Sequence, residues 1–516
     1  MAAHGRAAQP AYYPGVTGRR LLGVMMAAVC VSGAVACSSN SAGAPPVSSS
    51  SSTTSQTTLP ATTNPRDYDW RTFDFNRSRT GVEPNPTGLT AANLPHLQRQ
   101  VISLPGTPDT SPVYLHAVTV EGAVRNVFFL TTTYGRTVAV AAGGKILWTY
   151  TPSSYAGYAG TYQITTASPV IDPSRAYLYA TSPDGFVHKL SVASGHEVVG
   201  HGWPVKVTRL PGREKLPASL NVSDGRLYVT TGGYVGDIPP YQGHVVVISL
   251  ATGAVLGIWN SLCSGTHQLL SPPSCPQSDS AIFGRSGAVI DPANGQFLVA
   301  TGNAFWNGHI YWGDSVIQVS PTGSAITHTF TPTDQATLNT TDTDVGSTSP
   351  AILSTSGPVI IQGGKDGFLR VIDMGRQGVG KLGGAVQTLR TPGADKLFTT
   401  PAVWHAPWGR EYVFVADPSG TAAFTVTGSG TSTRLNPAWS SGIAGTSPLI
   451  AGGLLYIYDP NGALKVYGPG TGHVLASLPA SAGHWNSPIV ADGMIALPEG
   501  DANDHLTTGQ FSLYHP

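Results

Sequence analysis

The chain has 516 residues, with 28 basic side chains against 28 acidic ones, and charged residues make up only 11% of it. No basic run or stripe is present, so a nucleic-acid partner finds no electrostatic footprint. The 62 glycines and 41 prolines, set among Val, Thr and Tyr, predict an all-β fold, and propeller folds reach this length as one unit.

Residues 1–37 are an address. Arg6, Arg19 and Arg20 precede an apolar run from Leu21 to Ala36, which ends in small residues at Ala34, Val35 and Ala36. A positive start, a short apolar core and a small-residue cleavage site make a secretory signal. Sixteen apolar residues are short for a full membrane span. The arginine pair alone is weak ground for a twin-arginine signal. Ser38 to Asn64 is rich in Ser, Thr and Pro and cannot bury a core, so it is expected to be a flexible linker.

Two of the four cysteines, Cys30 and Cys37, lie in the address segment. The other two, Cys263 and Cys275, flank a Pro/Ser/Gly-rich loop and are expected to form a disulfide in an oxidising compartment. Closing so short a loop contributes roughly 3 kcal/mol or less. Only His267 lies between them, which disfavours a metal site, and there is no CxxCH for a c-type haem.

Asp67 to Leu94 is polar and turn-rich without a period. A repeat then begins: a Ser or Thr start, a strand, a Gly turn, a strand, a DG or NG turn, a third strand, then often TG and a fourth. Its clearest copies are SPVIDPSRAYLYATSPDGFVHKLSVASGHEV (Ser168 to Val198) and SPLIAGGLLYIYDPNGALKVYGPGTGHVLASL (Ser447 to Leu478). Other copies start near Ser111, Ser219, Ser286, Ser349, Thr400 and Ser487, which makes eight. The spare strand Leu97 to Leu104 is placed to pair into the last copy and close a ring, removing exposed edges. Residues 65–516 are therefore read as an eight-bladed β-propeller of four-stranded blades, or seven if one start is spurious. No helical period is evident outside the signal.

Three phrases stand at strand ends: GAVIDPANGQFLVATGN (Gly287 to Asn303), TDTDVGSTSP (Thr341 to Pro350) and GGKDG (Gly363 to Gly367). Their amide, carboxylates and lysine are expected to gather at one rim. They suit a bound cation with an anionic or quinone-like molecule, and equally the turns of a Gly-rich β-repeat.

The repeat resembles that of the pyrroloquinoline quinone (PQQ) enzymes, an eight-bladed propeller superfamily, from about Trp70 to Tyr514. ATGN, twelve residues after Asp291, looks like the family segment whose Asn, here Asn303, ligates the catalytic calcium. TDTDVG resembles the segment whose first Asp is catalytic base and metal neighbour, which implies Asp342, with Asp344 beside it. GGKDG resembles the segment whose basic residue contacts the quinone, here Lys365. TGGYVGDIPPYQGHVVVIS (Thr231 to Ser249) resembles the strand pair that supplies an acidic calcium ligand, implying Asp237, with Ile238 as the other register. Arg285 stands where the family places a stacking tryptophan, Phe283 is close by, and Thr341 replaces an aromatic residue. No adjacent cysteine pair is present to cover a quinone. The cysteine after the signal resembles a lipobox, which implies lipidation at Cys37 and an extracytoplasmic protein held at the cell membrane.

Three functions follow from this reading. The first is a PQQ- and calcium-dependent dehydrogenase acting on an alcohol or sugar. The second is a cofactor-free propeller lipoprotein serving as a protein-binding scaffold in the envelope, as outer-membrane assembly scaffolds do. The third is glycan binding through the aromatic loop Phe305 to Ser315, with Trp306, Tyr311 and Trp312. A monomer is expected. Trp148, Trp259, Trp408 and Trp485 are read as packing residues, and His309, His405 and His484 show no metal spacing.

Overall fold

In the computed structural model the described residues are 68–516, apart from 272–273 and 354–357. The signal, Cys30, Cys37 and the linker lie outside them. Eight four-stranded antiparallel sheets follow one another: Val113–Tyr150, Val170–Lys206, Asn221–Asn260, Val289–Phe330, Ala351–Arg390, Ala402–Ser441, Leu449–Pro479 and Ile489–His515. We number them blades 1 to 8. Blade 8 takes its outer strand from the other end of the chain. Gln98–Leu104 pairs antiparallel with Gly509–His515, from Gln98 opposite His515 to Leu104 opposite Gly509. The ring thus closes with the strand expected to close it, and no sheet edge is left open between first and last blade.

The strands are buried on both faces because each blade packs against two neighbours. In Leu454–Asp459 only Asp459 is not buried. Val113, Phe129 and Trp148 of blade 1 share a core with Leu178 and Leu190 of blade 2. The outer strands dock through tryptophan. Trp148 Nε1 donates to Val192 O at 3.1 Å, and a Cβ on Gly195 would lie 2.5 Å from its ring. Gly195 also has φ +70°, so the TG turn requires glycine on both counts. Trp439 repeats this against Pro469 O and Gly472. Trp259 is buried as expected, whereas Trp408 is 58% exposed. It sits in the first turn of blade 6, edge-on to Trp404.

All eight Ser or Thr starts are buried. Ser168 Oγ accepts from Ser111 N at 2.8 Å, and Ser447 Oγ from Thr400 N at 3.1 Å. At these two starts the hydroxyl satisfies a backbone donor of the preceding start, whereas Ser487 Oγ has no partner among the described residues.

The unpatterned stretch after the linker fills the channel. Tyr114 of blade 1 pairs with Trp70, and Arg71 O accepts from Ile171 N of blade 2. Arg77 O accepts from Ile290 N of blade 4, and Thr80 O from Val403 N of blade 6. Val82–Glu83 then adds a parallel strand to blade 7. Arg79 is wholly buried and donates to Ser286 O, Thr72 Oγ1, Phe73 O and Leu220 O. A segment that bonds the inner strands of five blades in turn carries no period of its own.

Candidate functional site

The three phrases do meet, at one rim of the propeller. A short helix, Gln335–Thr341, that the sequence did not reveal ends at Asp342, which caps it in the left-handed conformation (φ 51°). Asp344 follows in extended conformation before a 3₁₀ turn, Val345–Ser347. That turn rests on the end of strand Phe297–Ala300: a Cβ on Gly346 would lie 2.2 Å from Thr301 C and 2.4 Å from Gly302 N. Lys365 N donates to Asp344 O at 2.9 Å, bringing in the third phrase.

Lys365 is the hub. Its Nζ lies 2.8 Å from Asp342 Oδ1 and 2.6 Å from Asp344 Oδ1. Burial opposes the ammonium, yet Asp344 and Asp342 hold its pKa above the ordinary lysine value. A solvated hairpin lysine is thereby excluded. Asp344 is fully buried, and burial pushes its carboxyl up against the pull of Lys365. Its Oδ2 has no hydrogen-bond partner among the described residues. Asp342 combines both of its readings: it is a helix-capping turn residue, and it presents a 61% exposed side chain beside the lysine.

Two further carboxylates belong to this pocket and were not legible in the sequence. Asp314 is buried, accepts from Gln335 Nε2 at 3.1 Å through Oδ2, and leaves Oδ1 without a partner. Burial and the field of Asp344 push it up to about 8. Asp279 is raised to about 6 by burial and by Asp237. Asp237 itself is raised by burial and accepts from Tyr241 Oη at 2.8 Å. It feels Lys365 and Asp342, while Ile238 is 50% exposed, so Asp237 is the residue of the two that faces the pocket. Asn303 continues the strand past Gly302 and holds Ser280 N through its carbonyl. No three pocket carboxylates bring oxygens within 4.8 Å of one another among the described residues. An ion would have to draw them together by side-chain rotation.

Arg285 stands apart, at the start of blade 4. Its guanidinium reaches across the ring to blades 1 and 2, donating to Asp109 Oδ1 at 2.6 Å, Asp109 O at 2.9 Å and Thr166 O at 3.3 Å. Burial would raise Asp109, but Arg285 and His484 hold it well below the usual carboxylate range. The position expected to stack a planar ring therefore carries an ion pair, and Phe283 packs over Gly232 instead.

The Cys263–Cys275 disulfide is formed, with Cα atoms 6.1 Å apart. It anchors the aromatic loop: Leu262 pairs with Tyr311, and Trp312 Nε1 donates to Ser264 Oγ at 2.9 Å. Trp312 has no exposed surface, so it cannot stack on a sugar, and a glycan platform built on it is ruled out.

The fold and these contacts define an eight-bladed β-propeller with an acidic cluster at one rim. No protein-family model matches the sequence, and no curated protein does. Among solved structures, the chain is similar to a quinohemoprotein alcohol dehydrogenase from Comamonas testosteroni, with TM-score 0.62 and 15% identity over 87% of this chain and 80% of that one. It is similar to a europium-containing methanol dehydrogenase, with TM-score 0.63 and 14% identity over 87% of this chain and 98% of that one. BamB from Moraxella catarrhalis matches with TM-score 0.50 and 14% identity over 81% of this chain and 100% of that one. At such identities the likeness concerns the fold alone.

Proposed function

We propose that this is an extracytoplasmic, lipid-anchored propeller whose acidic pocket holds a hard multivalent cation, and that its reaction is the PQQ-dependent oxidation of an alcohol or sugar. The buried Asp344 and Asp314, each with an oxygen lacking a donor, carry the proposal. Stripped carboxylate oxygens inside a protein are costly, and calcium or a lanthanide supplies the missing charge. On this reading Asp237, Asp279 and Asn303 are the further oxygen donors to the ion, drawn in by side-chain rotation.

When bound, the quinone would accept the electrons and the cation would polarise it. The chain supplies the rest. Asp342, exposed at the rim, is the carboxylate placed to take a substrate hydroxyl proton. Lys365, paired to both Asp342 and Asp344, supplies fixed positive charge where negative charge would develop.

Calorimetric titration of calcium or lanthanum, then PQQ, into the purified protein tests this. One-to-one quinone uptake that needs the cation and is lost in Asn303→Ala supports it, and heatless titrations would sink it.

One observation favours a second reading. The Arg285–Asp109 pair occupies the place of a stacking ring, which suits a propeller that keeps the scaffold and binds an envelope protein instead. Cofactor uptake separates the two.

A further inference from the structure

At the centre of the same face lies a second cluster, independent of the acidic pocket. Asp109 comes from the segment leading into blade 1, His484 from that leading into blade 8, and Asp501 from the loop inside blade 8. His484 Nδ1 lies 2.8 Å from Asp109 Oδ2 and 3.6 Å from Asp501 Oδ1, and the three ligand atoms fall within 4.8 Å of one another. No other such trio of His, Cys, Asp or Glu occurs among the described residues.

We propose that Asp109, His484 and Asp501 form an open, three-ligand site for a borderline divalent ion of the zinc type. A tetrahedral ion with bonds near 2 Å separates its ligands by about 3.3 Å, which the two short distances bracket. One imidazole with two carboxylates suits zinc or cobalt better than calcium, which prefers more oxygens.

The support around the trio is that of a built site. Asp109 is buried, Arg285 takes its Oδ1, and its Oδ2 faces His484 while accepting a longer bond, 3.3 Å, from Ala502 N. His484 N is held by Asn486 Oδ1 at 2.9 Å, and Asn486 in turn donates to Pro108 O. Asp501 is fixed by Asn503 N at 2.8 Å. Outer partners of this kind orient ligands before the ion arrives.

Two carboxylates cancel the charge of a divalent ion. Arg285 and Lys215, both in the field of Asp109, then leave the site positive. The fourth position therefore suits an anion, such as hydroxide or a ligand carboxylate. Trp485, tilted against Phe398 with ring centroids 4.8 Å apart and beside His484, forms an apolar shelf next to it.

The test is titration of the chelator-treated full chain with Co(II), read by visible absorption. Tetrahedral Co(II) absorbs strongly, whereas an oxygen-rich site of higher coordination absorbs weakly. One equivalent of the intense spectrum is expected, with affinity lowered about tenfold or more in His484→Ala and in Asp501→Asn. Asp344→Asn should leave it unchanged. Both altered side chains are partly exposed, at 25% and 32%, so thermal melting should show the fold retained. Absence of the intense spectrum in the native chain, its survival in both His484→Ala and Asp501→Asn, or its loss in Asp344→Asn would each overturn the proposal. Only the last would move the ion to the acidic pocket.

Discussion

Arg285 and Asp109 meet at 2.6 Å across the ring although 176 residues separate them in the chain. Both side chains are at least nine-tenths buried, so each is the other's main source of compensation. Breaking such a pair from one side leaves a stranded charge, which costs about 3–5 kcal/mol. Arg285→Ala is expected to lower the unfolding free energy by that amount, read as a lower denaturation midpoint at unchanged slope. The paired change Arg285→Leu with Asp109→Leu should recover much of the loss. If both single variants melt like the parent, the pair does not brace the ring.

Lys365 holds two carboxylates at once. Its replacement by Met leaves Asp344 buried with neither oxygen paired. Lys365→Met is therefore expected to destabilise the cation-free protein by roughly 2 kcal/mol or more, and added calcium or lanthanum should restore part of it. Melting with and without the cation reads this directly, and an equal loss under both conditions would argue against a cation in the pocket.

Asp314 and Asp279 have folded pKa values of about 8 and about 6, above the ordinary 3.8 of the unfolded chain. Between these limits the folded state binds more protons than the unfolded state. Stability is then greatest at the acid end and falls as pH rises from about 4 to about 8. Without divalent ions, the melting temperature should drop over this window. Asp314→Asn should flatten its upper half. A saturating cation, which keeps these carboxylates ionised, should flatten it as well, with proton release on binding. A curve of the same slope in Asp314→Asn would contradict the assignment.

The segment Asp69 to Glu83 bonds the inner strands of blades 1, 2, 4, 6 and 7. Its anchor is Arg79, buried with four acceptors, one of them in blade 4 and another in blade 3. Arg79→Met should cost several kcal/mol through orphaned carbonyls. Limited proteolysis should then cut this segment before any blade. Resistance equal to that of the parent would mean the segment is held by its backbone alone.

Much of the architecture was legible in the primary structure for local reasons. The DG and NG turns and the TG endings each answer a demand set within a few residues, a left-handed turn that glycine tolerates. Leu97 to Leu104 announced itself as a strand without a partner, and blade 8 is where it fits. The pocket was half legible. Asp342, Asp344, Lys365 and Asn303 lie in the three phrases, while Asp314 and Asp279 have no local mark, because what singles them out is burial beside other carboxylates. His484 shows this most plainly: its metal-like partners lie 375 residues before it and 17 after it, and no spacing rule reaches that far.

The sequence by itself determined the repeat, its count and the closure of the ring, since period, turn chemistry and strand pattern are short-range properties. Only the tertiary structure decided that Asp69 to Glu83 fills the channel, that Arg285 is paired rather than stacked, that Trp312 is buried, and that two separate polar clusters share one face. Those outcomes depend on which side chains a closed ring brings together and on how little water it leaves them, and neither quantity is carried by any single stretch of the chain.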